Sequence, residues 1–319
     1  MAAAIDLCAR LPPADEATLR EVDARAIAYP LGSGEGEEIA LAAGLRPMIR
    51  QLLGEADLER ERARFERLGL ATLIAPRVYA PTHDGWDDTP DPGVVDPRLA
   101  RQALFIGRDR DAMSEAISAD LAKTDEGDRT LGRLLGYPRC CVDAFLSRGK
   151  QRKNAHVIEA TMKATIGAPQ PRLDVLDLAI FHWISWVPCT YRCALSAKYA
   201  DALAQIVARR HGSFVGAIDE ALGVHRLYLF DEVQLSLRGS FDGKKVAIES
   251  VWPTARDRHP KATLDHDARQ ASARLLRLVR SARTLSVDGD AIVLDGARVA
   301  LSSRPLLAPF GEWKTTHAT

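Results

Sequence analysis

Four of the five cysteines in this sequence fall in two pairs, Cys140–Cys141 and Cys189 with Cys193, each pair following a proline and preceding a helical pattern. The first pair lies in LGRLLGYPRCCVDAF and the second in FHWISWVPCTYRCALSAKYADAL, so the constellation reads C-C, a long spacer, then C-x3-C. Thiolates are soft ligands and good nucleophiles, and in a reducing compartment such a pattern points to metal binding or dithiol chemistry before structural disulfides. Pro138 and Pro188 suit the first position of a helix, where a missing N–H costs nothing. The spacing therefore predicts both pairs in first helical turns, where free N–H groups and the positive end of the helix dipole favour thiolate.

On such a helix Cys189 and Cys193, at i and i+4, share a face. Cys140 and Cys141, at i and i+1, diverge by about 100° around the axis. A zinc site draws four sulfurs tightly around one ion, with Zn–S near ~2.3 Å. An iron-sulfur cubane spreads its irons over several corners and accepts less convergent thiolates. The divergence of the adjacent pair therefore leads to the expectation of a 4Fe-4S cluster on Cys140, Cys141, Cys189 and Cys193, with zinc as the alternative cofactor and a dithiol redox site as a further reading. The plain alternative is that these are small core residues. Cys8 stands alone and is read as inert.

The polar residues closest in sequence are Tyr137, Arg139, Asp143, His182, Ser185, Tyr191, Arg192 and Ser196. Of these, Tyr137, Arg139, His182 and Arg192 are the candidates for catalysis. Arg139 and Arg192 each stand beside a cysteine, where a guanidinium can offset thiolate charge or hold an anionic substrate, or else simply face solvent. His182 lies in the apolar run FHWISW, where a hydrogen-bonded core histidine is the ordinary outcome and an acid–base role the sharper one. Trp183 and Trp186 read as a shield limiting water at the centre.

Two function classes follow. One is an iron-sulfur enzyme using an open iron for redox, Lewis-acid or sulfur-transfer chemistry. The other is a non-catalytic binding protein whose four-cysteine cluster or zinc ties its middle region together.

The segments GYPRCCVDAF and VPCTYRCALS resemble the signatures GYPxCCxxxF and PCxxxCxxS of an uncharacterised prokaryotic family, domain of unknown function 483. The resemblance covers roughly the middle third of the chain, and its specificity lies in the two cysteine blocks. It implies a cysteine-bound centre and supplies no reaction. Members of that family carry a His two residues ahead of the Pro-Cys pair, whereas here Trp186 stands there and His182 lies upstream.

The elements that must position these residues are legible in outline. The chain has 319 residues, 46% hydrophobic and 27% charged, a globular composition that excludes disorder, collagen and small disulfide scaffolds. Acidic and basic residues balance at 43 each, so no global field draws the chain to nucleic acid or an anionic membrane, and the partner expected is a small molecule or another protein. No segment approaches 18 uninterrupted apolar residues and no signal peptide is visible, giving the expectation of a soluble, cytoplasmic protein. The excess of arginine over lysine and the abundant alanine suggest a GC-rich bacterial source.

The predicted class is α+β, in four segments. Residues 1–80 form a helical N-terminal region, with helices over Asp15–Ala28, from near Glu37, and over EADLERERARFERLGL. The Gly-rich LGSGEGEE between the first two reads as a turn; its glutamates argue against phosphate binding. Residues 81–97, rich in Pro, Asp and Gly, form a linker loop. Residues 98–215 form the αβ region that carries the cysteines, opening with the strand ALFIG and a helix Asp111–Lys123 that turns Ala112, Ala116, Ile117 and Leu121 inward. Residues 216–319 form an antiparallel sheet with Asp-Gly turns and one helix, Asp265–Ala282. The arginines of that helix (Arg269, Arg277, Arg280), with Arg283 beyond it, read as a solvated face rather than an RNA contact.

Overall fold

The computed structural model describes residues 17–18, 33–82, 85–89, 100–148, 154–175, 181–230, 233–253, 266–301 and 304–314. The architecture is α+β, with helices in the N-terminal part and a C-terminal antiparallel sheet bearing one helix. Residues 17–18 of the expected helix at 15–28 are helical; the rest of that helix, residues 83–84 and 90–97 of the linker, and Cys8 lie outside the described residues. No helix among the described residues is long and apolar enough to cross a membrane.

The chain folds as two compact units. The first comprises residues 33–161 and 183–207. It holds α1 (Ser33–Ala42), β1 (Met48–Leu53), α2 (Glu55–Arg67), β2 (Ala71–Thr82), β3 (Gly85–Thr89), β4 (Arg101–Gly107), α3 (Arg110–Ala122), α4 (Asp125–Leu134), α5 (Arg139–Ser147) and most of α6 (Asn154–Lys163). The four strands pair antiparallel in the order β1-β4-β2-β3. Two strands thus arise within the segment read as helical, and a third within the segment read as a loop. Segments separated in the sequence reading share this one sheet: Ile49 stands opposite Ile106, and Leu73 opposite Phe105.

The unbroken apolar run of β4 has a physical cause, because both faces of the sheet are covered. Ala103 and Phe105 pack with Met48, Met113, Ala116, Leu134 and Leu135 on one side. Leu104 and Ile106 pack with Leu41, Ile49, Leu58 and Phe65 on the other. Helix α3, capped by the Asp109 side chain, buries Met113, Ala116 and Ala119. Leu121, expected inward, is exposed. The Gly-rich LGSGEGEE also differs from expectation, since α1 already begins at Ser33.

The second unit contains residues 162–182 and 208–319. Helix α7 (Ala194–Leu222) belongs to the first unit up to Val207 and to the second beyond it, with non-helical backbone at His211 (φ −138°, ψ 51°). There follow β5 (His225–Phe230), β6 (Val233–Phe241), β7 (Val246–Pro253), α8 (His266–Arg280), β8 (Thr284–Asp288), β9 (Ala291–Leu294), β10 (Ala297–Ala300), β11 (Leu306–Pro309) and β12 (Glu312–Trp313). They form an eight-stranded sheet, β10-β9-β8-β7-β6-β5-β11 with β12 beside β6. Ala271, Leu275, Leu276 and Val279 of α8 close its core against Leu227, Leu235, Leu237, Leu285 and Ile292.

Candidate metal centre

The first cysteine pair is placed by how α4 stops and α5 starts. Gly136 takes a left-handed backbone (φ +79°) that L side chains resist. The Gly136 N–H donates to the Arg133 carbonyl and the Tyr137 N–H to the Gly132 carbonyl, the two bonds of a Schellman motif. Pro138 then caps α5, its carbonyl accepting from the Cys141 and Val142 N–H groups at 2.9 and 3.1 Å. Cys140 and Cys141 therefore stand in a first helical turn, as expected.

The second pair is placed differently. Residues 188–193 form turns, and α7 begins only at Ala194. The Cys193 N–H donates to the Thr190 carbonyl at 3.0 Å, the Arg192 N–H to Thr190 Oγ1 at 3.2 Å, and Ala197 N–H to the Cys193 carbonyl at 2.9 Å. Cys193 is thus the residue at which the helix starts, and Cys189 precedes it on a turn. The expected i, i+4 helical face is replaced by a loop folded around its own Thr190.

All four sulfurs lie within 4.8 Å of one another. Cys140 and Cys141 Sγ are each 3.7 Å from Cys193 Sγ, and 4.0 Å from each other. No disulfide joins the described cysteines. Cys141 and Cys193 are buried, Cys189 is half-buried and Cys140 is exposed. The Cys189 N–H donates to Cys141 Sγ at 3.3 Å, and Ser196 Oγ lies 3.3 Å from the same sulfur. Burial pushes the Cys141 thiol well above its usual range and the Cys189 thiol up to about 11. At Cys193 burial acts in the same sense but is outweighed by hydrogen bonds from the Ser196 side chain and backbone and from the Cys189 and Cys141 thiols, which hold it down at about 7.

The surrounding shell fixes both cysteine segments. Trp186 donates its indole N–H to Ser196 Oγ at 3.0 Å and packs against Tyr137 and Tyr199, with ring centroids 5.1 and 4.9 Å away. One hydroxyl therefore separates this tryptophan from Cys141, in keeping with a shielding role. Arg148, seven residues after Cys141 on the same helical face, donates to the Cys189 carbonyl at 2.6 Å and to Thr161 Oγ1 at 2.5 Å. Thr161 in turn contacts the Pro188 carbonyl at 3.3 Å. Buried Arg46 donates to Glu37 at 2.6 Å, to Ser185 Oγ at 2.9 Å and to the Leu135 carbonyl at 3.0 Å, and lies over the Tyr137 ring. It thereby holds the end of α4 and the segment leading to Cys189 against α1.

Of the other sequence candidates, Tyr137 belongs to this shell, half-buried beneath Arg46 and against Trp186. Arg139 is 95% exposed and pairs with Asp143 at 3.5 Å. Arg192 is exposed on the turn. His182 ends the 162–182 segment of the other unit, half-buried there. The half-buried guanidinium braced against a cysteine backbone is instead Arg148. The sequence reading missed Arg148, although its spacing of seven from Cys141 was a signal; Arg46, Glu37 and Thr161 carry no local signal.

The donor set fits a single metal ion. Four sulfurs on a tetrahedron with metal–sulfur bonds of ~2.3 Å stand about 3.8 Å apart, and the observed separations of 3.7, 3.7 and 4.0 Å lie at that value. No protein-family model, no curated protein and no solved structure matches this chain.

Proposed function

We propose that the protein binds one tetrahedral zinc ion through Cys140, Cys141, Cys189 and Cys193, and that the ion ties the start of α5 to the 188–193 turn as a structural centre. The observation that carries this reading is the mutual distance of the four sulfurs. In a cubane each thiolate binds its own iron and points away from the cube, so the sulfurs stand roughly 6 Å apart. Four sulfurs all within 4.8 Å favour one small ion over the 4Fe-4S cluster anticipated from the divergence of Cys140 and Cys141. The Cys140 and Cys141 sulfurs stand 4.0 Å apart, and both reach Cys193 at 3.7 Å.

Four thiolates fill a tetrahedral shell, and such closed sites are structural. When bound, the ion supplies charge to hold the sulfurs as thiolates, displacing protons that burial otherwise keeps on Cys141 and Cys189. The chain's own residues do the rest: Cys189 N–H and Ser196 steady the Cys141 sulfur, Trp186 covers Ser196, and Arg148 offsets negative charge while pinning the turn.

Metal analysis of protein purified without oxygen tests this. Zinc at one ion per chain in colourless protein, replaceable by cobalt with the strong visible bands of tetrahedral thiolate coordination, is the expected result. Brown protein with iron and acid-labile sulfide in comparable amounts would overturn it and restore the cluster.

A further inference from the structure

The four sulfurs are not equivalent towards solvent. Cys141 and Cys193 are 3% and 7% exposed as residues, Cys189 is half-buried, and Cys140 alone is exposed. Cys141 is covered by Ser196 and the Cys189 backbone, and Trp186 closes over Ser196. Cys140 sits between exposed Arg139 and buried Cys141 at the outer edge of the first turn of α5. Cys140 is therefore the member of the group that water reaches most, with half-buried Cys189 next.

We infer that Cys140 is a modification site, at which a hydroperoxide attacks the centre and expels its ion. This rests on the single-ion reading above. The Cys140 thiolate takes the terminal OH of the hydroperoxide, breaking the O–O bond and leaving Cys140 as a sulfenic acid, while the departing hydroxide or alkoxide takes a proton from solvent to give water or an alcohol. Cys193 Sγ then stands 3.7 Å away, closer than Cys141 Sγ at 4.0 Å. Its thiolate attacks the Cys140 sulfur, a disulfide forms, and hydroxide leaves to be protonated as water. Two electrons pass from two thiolates to one hydroperoxide. A bond between neighbours Cys140 and Cys141 would close a strained small ring, which further favours Cys193.

The disulfide removes two of four ligands at once. Two remaining sulfurs do not hold the ion, so oxidation and metal release are one event. The Cys140–Cys193 bond then holds the end of the 188–193 turn to α5 in place of the ion, while Arg148 still holds the Cys189 carbonyl.

The experiment uses the full chain with its metal content measured beforehand. One equivalent of hydrogen peroxide is added, released zinc is read with a chromogenic chelator, and peptide mapping locates the modified cysteines. In parallel, limiting N-ethylmaleimide reports which sulfur reacts first. The expected result is one zinc released per peroxide consumed, a Cys140–Cys193 disulfide, and first alkylation at Cys140.

In Cys140→Ser, peroxide-driven release should slow by about tenfold or more. Zinc present at the outset, with alkylation spread evenly or falling first on Cys189, would overturn the inference and leave the metal reading standing. Absence of bound metal at the outset would overturn both. If Cys140→Ser fails to hold zinc, the mapping on the unaltered chain decides.

Discussion

In the eight-stranded sheet, Leu227, Leu235, Leu237, Leu285 and Ile292 close on Leu275 and Leu276 of α8 with none of these side chains in water. In α5 only Cys141 and Leu146 are buried among nine residues, and the chain from 183 to 193 that faces it forms no helix or strand. The first region is held by apolar area, and each leucine removed costs a share of it. The second buries Trp183, Ile184, Trp186 and Tyr191, but without regular structure between 183 and 193 the seating of its cysteine turn on α5 depends on the sulfurs and a few long-range hydrogen bonds. The two regions should therefore respond to different perturbations.

The largest contrast is expected from Cys141→Ser. Losing the most enclosed sulfur should lower metal affinity by more than about a hundredfold. Amide exchange should accelerate in 139–147 and 188–196 while β5–β7 stay protected. Equal acceleration in both regions would break the comparison. The converse variant is Leu275→Ala, which should destabilise the unit built on the eight-stranded sheet by about 2–5 kcal/mol. Denaturant unfolding should register that loss with the metal content unchanged.

A smaller effect tests how α5 is seated. A Cβ on Gly132 would lie 2.6 Å from Val142 Cγ2, one residue beyond Cys141. Gly132→Ala should therefore cost about 1–3 kcal/mol through forced displacement and weaken metal binding. Val142→Ala in the same chain should restore most of both losses, and a double-mutant cycle measures that coupling.

The smallest effect is a pH response confined to the sheet. His225 is fully buried, with Nε2 3.0 Å from the Gly239 carbonyl and Nδ1 accepting from the Gly311 N–H at 3.2 Å. Burial holds its pKa below the ordinary value of 6.5. Its neutral form is therefore favoured in the folded state, so this contribution is complete above that value and is lost as pH falls through the depressed one. Thermal midpoints of the sheet-bearing unit should fall on acidification by less than about 4 °C from this group, and His225→Gln should flatten that slope.

Much of this was legible in the sequence, for identifiable reasons. GYPRCC spells a helix stop, a proline cap and a first-turn cysteine pair, because Gly136 and Pro138 act through their own backbones. The Asp-Gly turn after Phe241 and the period-two strands around it are equally local. At the second cysteine pair Pro188 starts no helix, although its position suits one. Thr190 instead uses its hydroxyl and carbonyl to close a turn, the competition with helix that Ser and Thr commonly offer. MIRQLL was not read as a strand, since a short apolar run has no decisive period. Arg46 and Glu37 lie some hundred residues from the cysteines and are joined to them only by the fold.

If four sulfurs surround one ion, X-ray absorption at the zinc edge of the intact protein reads that shell without intermediary. A single shell of four sulfurs at ~2.3 Å with no metal–metal scattering is the expected result. Zinc bound through nitrogen or oxygen, or an iron edge with a metal–metal shell, would contradict it.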